Sequence, residues 1–136
     1  MSRIRILSKI LMWLLAGMNI GFLVWVVIDP TPTASFVGIA AINQDAGSEL
    51  RAMYGGLIGG LGMINLLGAI NPNRLEPALW STAWAFAGVG VVRSLSCLYL
   101  GIGGVQMLFA VLELGATLSC FTMLRALETP TQSIKV

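Results

Sequence analysis

Arg93 and Glu113 are the residues of this chain whose types and spacing suggest chemistry, because each interrupts a long apolar run. They lie almost equally far from the glycine-rich break between those runs, residues 101–104. A helical hairpin folded about this break brings both charges to the same depth, about 14 Å of helix from the turn. A lone charge within the hydrocarbon costs about 2.5 to 3.5 kcal/mol on insertion scales. We therefore predict that the two side chains pair within the membrane and mark a polar site.

Further polar residues are expected to join this pair. On the second predicted helix, Arg51 shares a stripe with Gly55, Ile58, Gly62 and Asn65 at helical spacing, and its long side chain is expected to reach Glu113. The predicted buried network, which is also the predicted ligand site, comprises Arg51, Arg93, Glu113, Tyr54, Gln106, Asn19 and Asn65. Two arginines against one glutamate give a surplus positive charge, which suits an anionic headgroup or a carboxylate. The alternative is a structural ion pair that only fixes the register of two helices.

Five glycines of the second predicted helix form a separate feature. They are Gly55, Gly56, Gly59, Gly60 and Gly62, and they include two overlapping G-x-x-x-G spacings. Such spacings let helix backbones approach each other closely within a membrane. Helix packing is the role that we predict for this group.

The composition indicates the class of protein that must position these residues. Of the 136 residues, 57% are hydrophobic and 10% are charged, whereas soluble domains carry about 25% charged residues. The apolar runs supply four helices of about 20 residues each, the length that crosses a bilayer. We predict one all-α domain over residues 1–136, a bundle of four transmembrane helices near 6–28, 49–70, 78–100 and 104–127. A net charge of +2 with scattered basic residues is too small to suggest nucleic acid, so no nucleic-acid partner is predicted.

A short interfacial segment is predicted between the first and second helices. Asp29-Pro30-Thr31-Pro32 is expected to stop the first helix, because proline lacks an amide donor and disfavours helix before it. The apolar stretch 34–42 is too short to span, so it is predicted to form a brief helix at the membrane interface. Asp45 or Ser48 is expected to cap the second helix.

The charges outside the spans predict the orientation. One side of the four-span arrangement collects the basic residues Arg3, Arg5, Lys9, Arg74, Arg125 and Lys135, and the other side has Asp29, Asp45 and Glu49. Basic residues accumulate in cytoplasmic loops. Both termini are therefore expected in the cytoplasm, with the chain in a bacterial inner membrane.

The residue types argue against most enzymatic chemistry. The chain has no histidine, which removes the commonest zinc ligand and the usual general base. Glu113 is accompanied by no Ser, Lys or Cys arranged as a nucleophile. Cys97 and Cys120 are isolated in predicted helices, as small buried hydrophobes would be. No catalytic residue, metal or cofactor is predicted, and a non-enzymatic role is favoured.

The stretch from Gly47 to Gly62, GSELRAMYGGLIGGLG, carries a family resemblance. It resembles the E-L-R-A-x-[FY]-G-G-L…G-L-G signature of DUF4345, a domain of unknown function found in small four-span bacterial membrane proteins. The likeness extends along most of the chain, with an arginine late in the third span at Arg93 and a glutamate in the fourth at Glu113. The resemblance implies a fold and a topology, and it brings no activity with it.

Two classes of function follow from these residues. The favoured one is a non-enzymatic accessory or assembly subunit, which packs against a larger membrane complex or forms a homo-oligomer among membrane lipids. It would use the glycine-rich face and the polar network for specificity. The alternative is the binding or transport of a lipid, a quinone or a small anion at the Arg/Glu site in the outer leaflet.

Overall fold

Four long helices and one short helix make up the computed structural model of the protein, which describes residues 3–38 and 43–128. They are α1 (Arg3–Ile28), the short α2 (Pro30–Phe36), α3 (Gln44–Ile70), α4 (Leu75–Leu100) and α5 (Val105–Glu128). All four long helices are long and apolar enough to cross a membrane. The prediction of an all-α fold with four transmembrane helices is confirmed. Alternate helices run in opposite directions, so the first and last described residues lie at the same end, called here the terminal end.

The short helix begins earlier than predicted. Asp29 caps α2, because its Oδ1 accepts a hydrogen bond from the backbone N–H of Thr31 at 2.9 Å, and Pro30 occupies the first turn. Proline suits that place, since its fixed φ is helical and its missing N–H would be unpaired there anyway. The two prolines that were expected only to stop α1 therefore start α2. Of the predicted 34–42 segment, residues 39–42 lie outside the described residues.

Helix α3 has an irregular first half. Asn43, rather than Asp45 or Ser48, is its N-cap, and its side chain accepts a hydrogen bond from the N–H of Ala46 at 2.8 Å. The segment Arg51–Leu57 is π-helical, and a regular α-helix resumes at Ile58–Ile70. Such π-helical segments concentrate at functional sites. This one contains Tyr54, which lies in the wall of the cavity described below.

Tight turns join the last three helices. Asn71 and a single 3₁₀ turn, Pro72–Arg74, connect α3 to α4. Between α4 and α5, Gly101 and Gly104 adopt φ values of +65° and +67°, a left-handed conformation that glycine adopts without steric cost. The break at 101–104 is therefore the turn of a helical hairpin, and α4 and α5 are antiparallel neighbours.

The apolar core occupies the half of the bundle toward the terminal end. Its buried members come from all four long helices: Met12, Leu15, Ala69, Leu75, Ala78, Leu79, Ala83, Cys120 and Leu124. Glycines bring α3 close to its neighbours. A Cβ added at Gly59 would lie 2.6 Å from Leu23 Cδ2, and one at Gly62 would lie 2.9 Å from Ile20 Cγ1. These distances are shorter than van der Waals contact, so α1 and α3 pack at a spacing that only glycine permits.

Candidate ligand site

Arg93 on α4 and Glu113 on α5 form an ion pair. Nε of Arg93 donates to both carboxylate oxygens of Glu113, at 3.2 Å to Oε1 and 2.9 Å to Oε2, and Nη2 donates to Oε1 at 2.9 Å. The two side chains are 24% and 13% exposed. This forked contact is the strong form of an arginine–carboxylate pair. The hairpin turn at 101–104 places both residues at one depth, because they lie almost equally far from that turn along the sequence.

Gln106 extends the polar cluster toward the short helix. Its Oε1 accepts a hydrogen bond from Arg93 Nη1 at 2.6 Å, and its Nε2 donates to the carbonyl oxygen of Val37 at 2.5 Å. Val37 is the C-terminal cap of α2. The side chain of Gln106 therefore ties the end of α2 to the ion pair.

Aromatic contacts hold α2 against the same region. The Phe36 ring lies between Trp25 of α1 and Phe109 of α5, with 5.6 Å between ring centroids on each side. Phe109 also faces the guanidinium of Arg93, whose Cζ is 5.5 Å from the ring centroid, within the range of a cation–π contact. The Arg93 guanidinium is thus held by the Glu113 carboxylate, the Gln106 amide and the Phe109 ring.

Gly90 determines how closely α4 approaches Glu113. A Cβ at this position would lie 3.1 Å from Glu113 Cβ and 3.1 Å from Leu114 Cγ. Gly90 is buried and lies one turn before Arg93. Gly90 is not among the residues predicted from the sequence. The available signal was that Gly90 lies three residues before Arg93, because small residues mark helix contacts in membranes.

A cavity of about 170 Å³ lies next to the ion pair. All four long helices and the end of α2 contribute to its wall, which consists of Leu15, Met18, Asn19, Phe22, Val37, Tyr54, Ile58, Phe86, Arg93, Phe109, Leu112, Glu113 and Ala116. Nine of these thirteen side chains are hydrocarbon or thioether groups, and the others are Asn19, Tyr54, Arg93 and Glu113. A mostly apolar wall with a few convergent polar groups is typical of small-molecule sites.

The side chain of Asn19 is enclosed where it borders the cavity. The residue is 2% exposed, and its Nδ2 has no hydrogen-bond partner among residues 3–38 and 43–128. A buried donor without a partner costs about 1 to 3 kcal/mol. Because Nδ2 has almost no accessible surface, this donor is enclosed in the bundle and is not open to the cavity.

Arg51 does not join the cluster, which corrects the predicted network. Its exposed side chain donates from Nε to the carbonyl oxygen of Val27 at 3.3 Å. The stripe that carries Arg51 faces α1, because Gly55, on the same stripe, has Leu23 and Val27 as nearest neighbours. The last carbonyls of a helix carry a partial negative charge, which attracts a cation. Arg51 therefore binds the end of α1, and the described wall residues carry no surplus positive charge.

Asn65 is fully buried, but it lies below the cavity rather than in its wall. Its Oδ1 accepts a short hydrogen bond from the hydroxyl of Thr82 on α4, while its Nδ2 has no partner in the part of the chain that the structure describes. Asn65 therefore links α3 to α4 within the packed half of the bundle. Of the predicted network, the structure brings Arg93, Glu113, Gln106, Tyr54 and Asn19 together around the cavity.

The predicted glycine group divides between two faces of α3. Gly55, Gly59 and Gly62 are buried against α1. Gly56 and Gly60 are exposed, and no heavy atom of another described element lies within 4 Å of a Cβ added at Gly60. The close packing therefore joins two helices of this chain.

The arrangement is suited to binding. Glu113 already accepts three hydrogen bonds from Arg93, so both of its carboxylate oxygens are engaged within the protein. The wall residues include no serine, threonine, cysteine or lysine, so the cavity offers no nucleophile of the kinds that form covalent intermediates most often.

Comparison with known proteins gives a family and no activity. Nothing among curated proteins or solved structures matches the chain. The family described as Domain of unknown function (DUF4345) matches residues 7–124, a range that includes most of α1 and α5, all of α3 and α4, and every residue of the cavity wall. The chain is a four-helix transmembrane protein that belongs to the DUF4345 family.

Proposed function

We propose that this protein binds a small lipophilic molecule in the cavity beside the Arg93–Glu113 pair. The observation that carries the proposal is the cavity of about 170 Å³, whose wall sets nine apolar side chains beside the Arg93–Glu113 pair. A purely structural ion pair needs no cavity next to it. A bound molecule accounts for the cavity.

The wall also supports a route from the lipid phase. Met18 on α1 and Leu112 on α5 line the cavity and are 55% and 56% exposed on the outside of the bundle. The seam between α1 and α5 is sparsely packed compared with the α4–α5 and α1–α3 contacts. A molecule dissolved in the bilayer therefore reaches the cavity sideways, and a long tail can stay among the lipids.

Purification in a mild detergent followed by native mass spectrometry tests the proposal. Ala116 lies in the cavity wall and is only partly exposed, so Ala116→Phe fills the space. The matched control is Ala85→Phe, at an exposed position of α4. We expect a retained small molecule in the unaltered protein and in Ala85→Phe, and its loss in Ala116→Phe. Equal occupancy in all three proteins would place the molecule elsewhere and reject this site.

The assembly hypothesis from the sequence loses its main support, because Gly55, Gly59 and Gly62 pack against α1 of the same chain. The same purification examines it, since a stoichiometric protein partner in the mass spectrum would revive it. We also propose a bacterial inner membrane location with the terminal end in the cytoplasm, on the strength of Arg3, Arg5, Lys9, Arg74 and Arg125 at that end. Reporter fusions after residue 136 and in the 30–45 segment would give opposite signals if this orientation holds.

A further inference from the structure

We propose that a groove between α4 and α5 at the terminal end binds one phospholipid with an ammonium headgroup, of the phosphatidylethanolamine type. The groove has a volume of about 500 Å³ and shares no residue with the wall of the cavity beside Arg93. Its wall consists of Trp80, Trp84, Leu118, Phe121, Thr122, Leu124, Arg125 and Glu128. Three features of this wall support the proposal: its polarity gradient, the order of its charges and its aromatic surface.

The groove is polar at its outer end and apolar toward the middle of the membrane. Glu128 is the last residue of α5, and Arg125 lies about one turn deeper. Trp84 and Leu118 lie farther in, about 14 to 15 Å of helix from the terminal ends of α4 and α5. A phospholipid has the same order, with a charged headgroup at the interface and a hydrocarbon chain below it. The groove therefore matches one amphiphile from headgroup to chain.

The two charges stand in the order of a zwitterionic headgroup. Glu128 is outermost, and Arg125 is three residues deeper, about 4.5 Å along the helix. In phosphatidylethanolamine the ammonium is outermost, and the phosphate lies two carbons deeper. Glu128 forms no ion pair within residues 3–38 and 43–128, so its carboxylate is available to the ammonium. An arginine has five N–H donors, so Arg125 can bind the phosphate in addition to its other contact.

Aromatic rings provide the surface for the upper part of the acyl chain. Phe121 makes edge contacts with both Trp80 and Trp84, with 5.7 Å between ring centroids in each pair. These contacts fix the two indole rings, although Trp80 is 41% and Trp84 is 64% exposed. Tryptophan suits this depth, because it combines a large apolar ring with one N–H donor. The groove thus presents an ordered apolar surface that an acyl chain would cover.

Two lipids with identical chains test the headgroup assignment: phosphatidylethanolamine and phosphatidylglycerol. Both carry a phosphate, and only the first carries an ammonium. The full-length protein in mild detergent is titrated with each lipid, and native mass spectrometry measures the bound fraction. We expect Glu128→Gln to weaken phosphatidylethanolamine binding about twofold to fivefold and not to weaken phosphatidylglycerol binding. Glu76→Gln is the matched control and should change neither, because Glu76 is exposed at the same end but lies outside the groove.

The aromatic surface is tested with Trp84→Leu, which should weaken the binding of both lipids about threefold or more. Trp13→Leu is the control and should have no effect. Trp13 is 52% exposed at a similar depth on α1, about 15 Å of helix from its start, and does not line the groove. Both tryptophans are largely exposed, so neither substitution removes a core contact.

Three results would overturn the proposal. An equal effect of Glu128→Gln on the two lipids would show that no ammonium contacts this carboxylate. Equal losses in Trp84→Leu and Trp13→Leu would indicate a nonspecific lipid layer, and a dimer of the chain that Trp84→Leu dissociates would place a second copy in the groove. Ala116→Phe should leave lipid binding unchanged, because Ala116 lies in the cavity wall, so this proposal and the proposed function are tested separately.

Discussion

The ion pair between Arg93 and Glu113 permits a quantitative prediction. Each of the single variants Arg93→Gln and Glu113→Gln leaves one charge without its partner, in the half of the bundle away from the terminal end. Removing one member of a fully buried pair costs about 3 to 5 kcal/mol, and these side chains are 24% and 13% exposed. We therefore expect each single variant to lose about 2 to 4 kcal/mol of unfolding free energy.

The double variant should lose less than the sum of the two single losses. Once both charges are gone, neither change leaves an uncompensated ion, and two glutamines at this distance can share a hydrogen bond. Three contacts of 2.9 to 3.2 Å join the two side chains, and coupling between contacting residues reaches about 3 kcal/mol. We expect a coupling energy of about 2 kcal/mol.

Unfolding in mixed micelles of dodecyl sulfate and a mild detergent, followed by circular dichroism, measures these free energies. A second cycle between Arg51→Gln and Glu113→Gln is the matched control, because Arg51 bonds to Val27 instead. That cycle should be additive within about 0.5 kcal/mol. Additivity in the Arg93 cycle would refute the pairing, and strong coupling in the Arg51 cycle would refute the assignment of Arg51 to the end of α1.

Three further predictions concern packing and hydrogen bonding. Gly62→Ala should cost about 1 to 3 kcal/mol of unfolding free energy by overpacking, because the added Cβ would meet α1. Gly60→Ala should be neutral, because no other described element lies near that position. Equal effects of the two variants in the same micelle titration would contradict the α1–α3 packing. Gln106→Leu removes the hydrogen bond that holds the end of α2, so faster amide hydrogen exchange is expected in residues 30–38. Exchange at the unaltered rate would show that the aromatic contacts of Phe36 hold α2 without this bond. Thr82→Val leaves both polar atoms of the Asn65 side chain unpaired and should cost about 1 to 3 kcal/mol of unfolding free energy. The double variant Thr82→Val with Asn65→Leu should restore much of this loss. A double variant less stable than the single one would argue that Asn65 has another partner.

The transmembrane helices and the depth of the ion pair could be predicted from the sequence, because both depend on distance along the chain. Apolar runs give the helix number, and residues equally far from a hairpin turn lie at equal depth. Gly101 and Gly104 marked that turn. The short helix was also readable, since an aspartate followed by a proline is a common helix start. The prediction placed it too late because it took Pro30 only as a helix breaker.

The cavity and the bond from Gln106 to Val37 could not be predicted, because both depend on distances between helices that are remote in sequence. Val37 and Gln106 are brought together only when α2 folds back over α5. The volume beside Arg93 depends on how closely α1 approaches α5, and no residue type encodes that distance directly. Asn19 was singled out for its polarity, but its missing partner is a property of the packed bundle.

The position of Arg51 decides the net charge at the cavity. That position depends on the place of Arg51 in the sequence of α3, because a shift of one residue turns a side chain to another face of the helix. Consecutive residues of a helix are about 100° apart, so Gly55 and Gly59 face α1 while their neighbours Tyr54 and Ile58 line the cavity. Arg51 belongs to the glycine stripe and therefore meets α1, where the carbonyl oxygen of Val27 binds it. Had it stood on the stripe of Tyr54, the cavity would hold a second cation and would attract an anion. With Arg51 bound to α1, the charges of Arg93 and Glu113 in the cavity wall cancel each other, and no second cation among the described wall residues joins them.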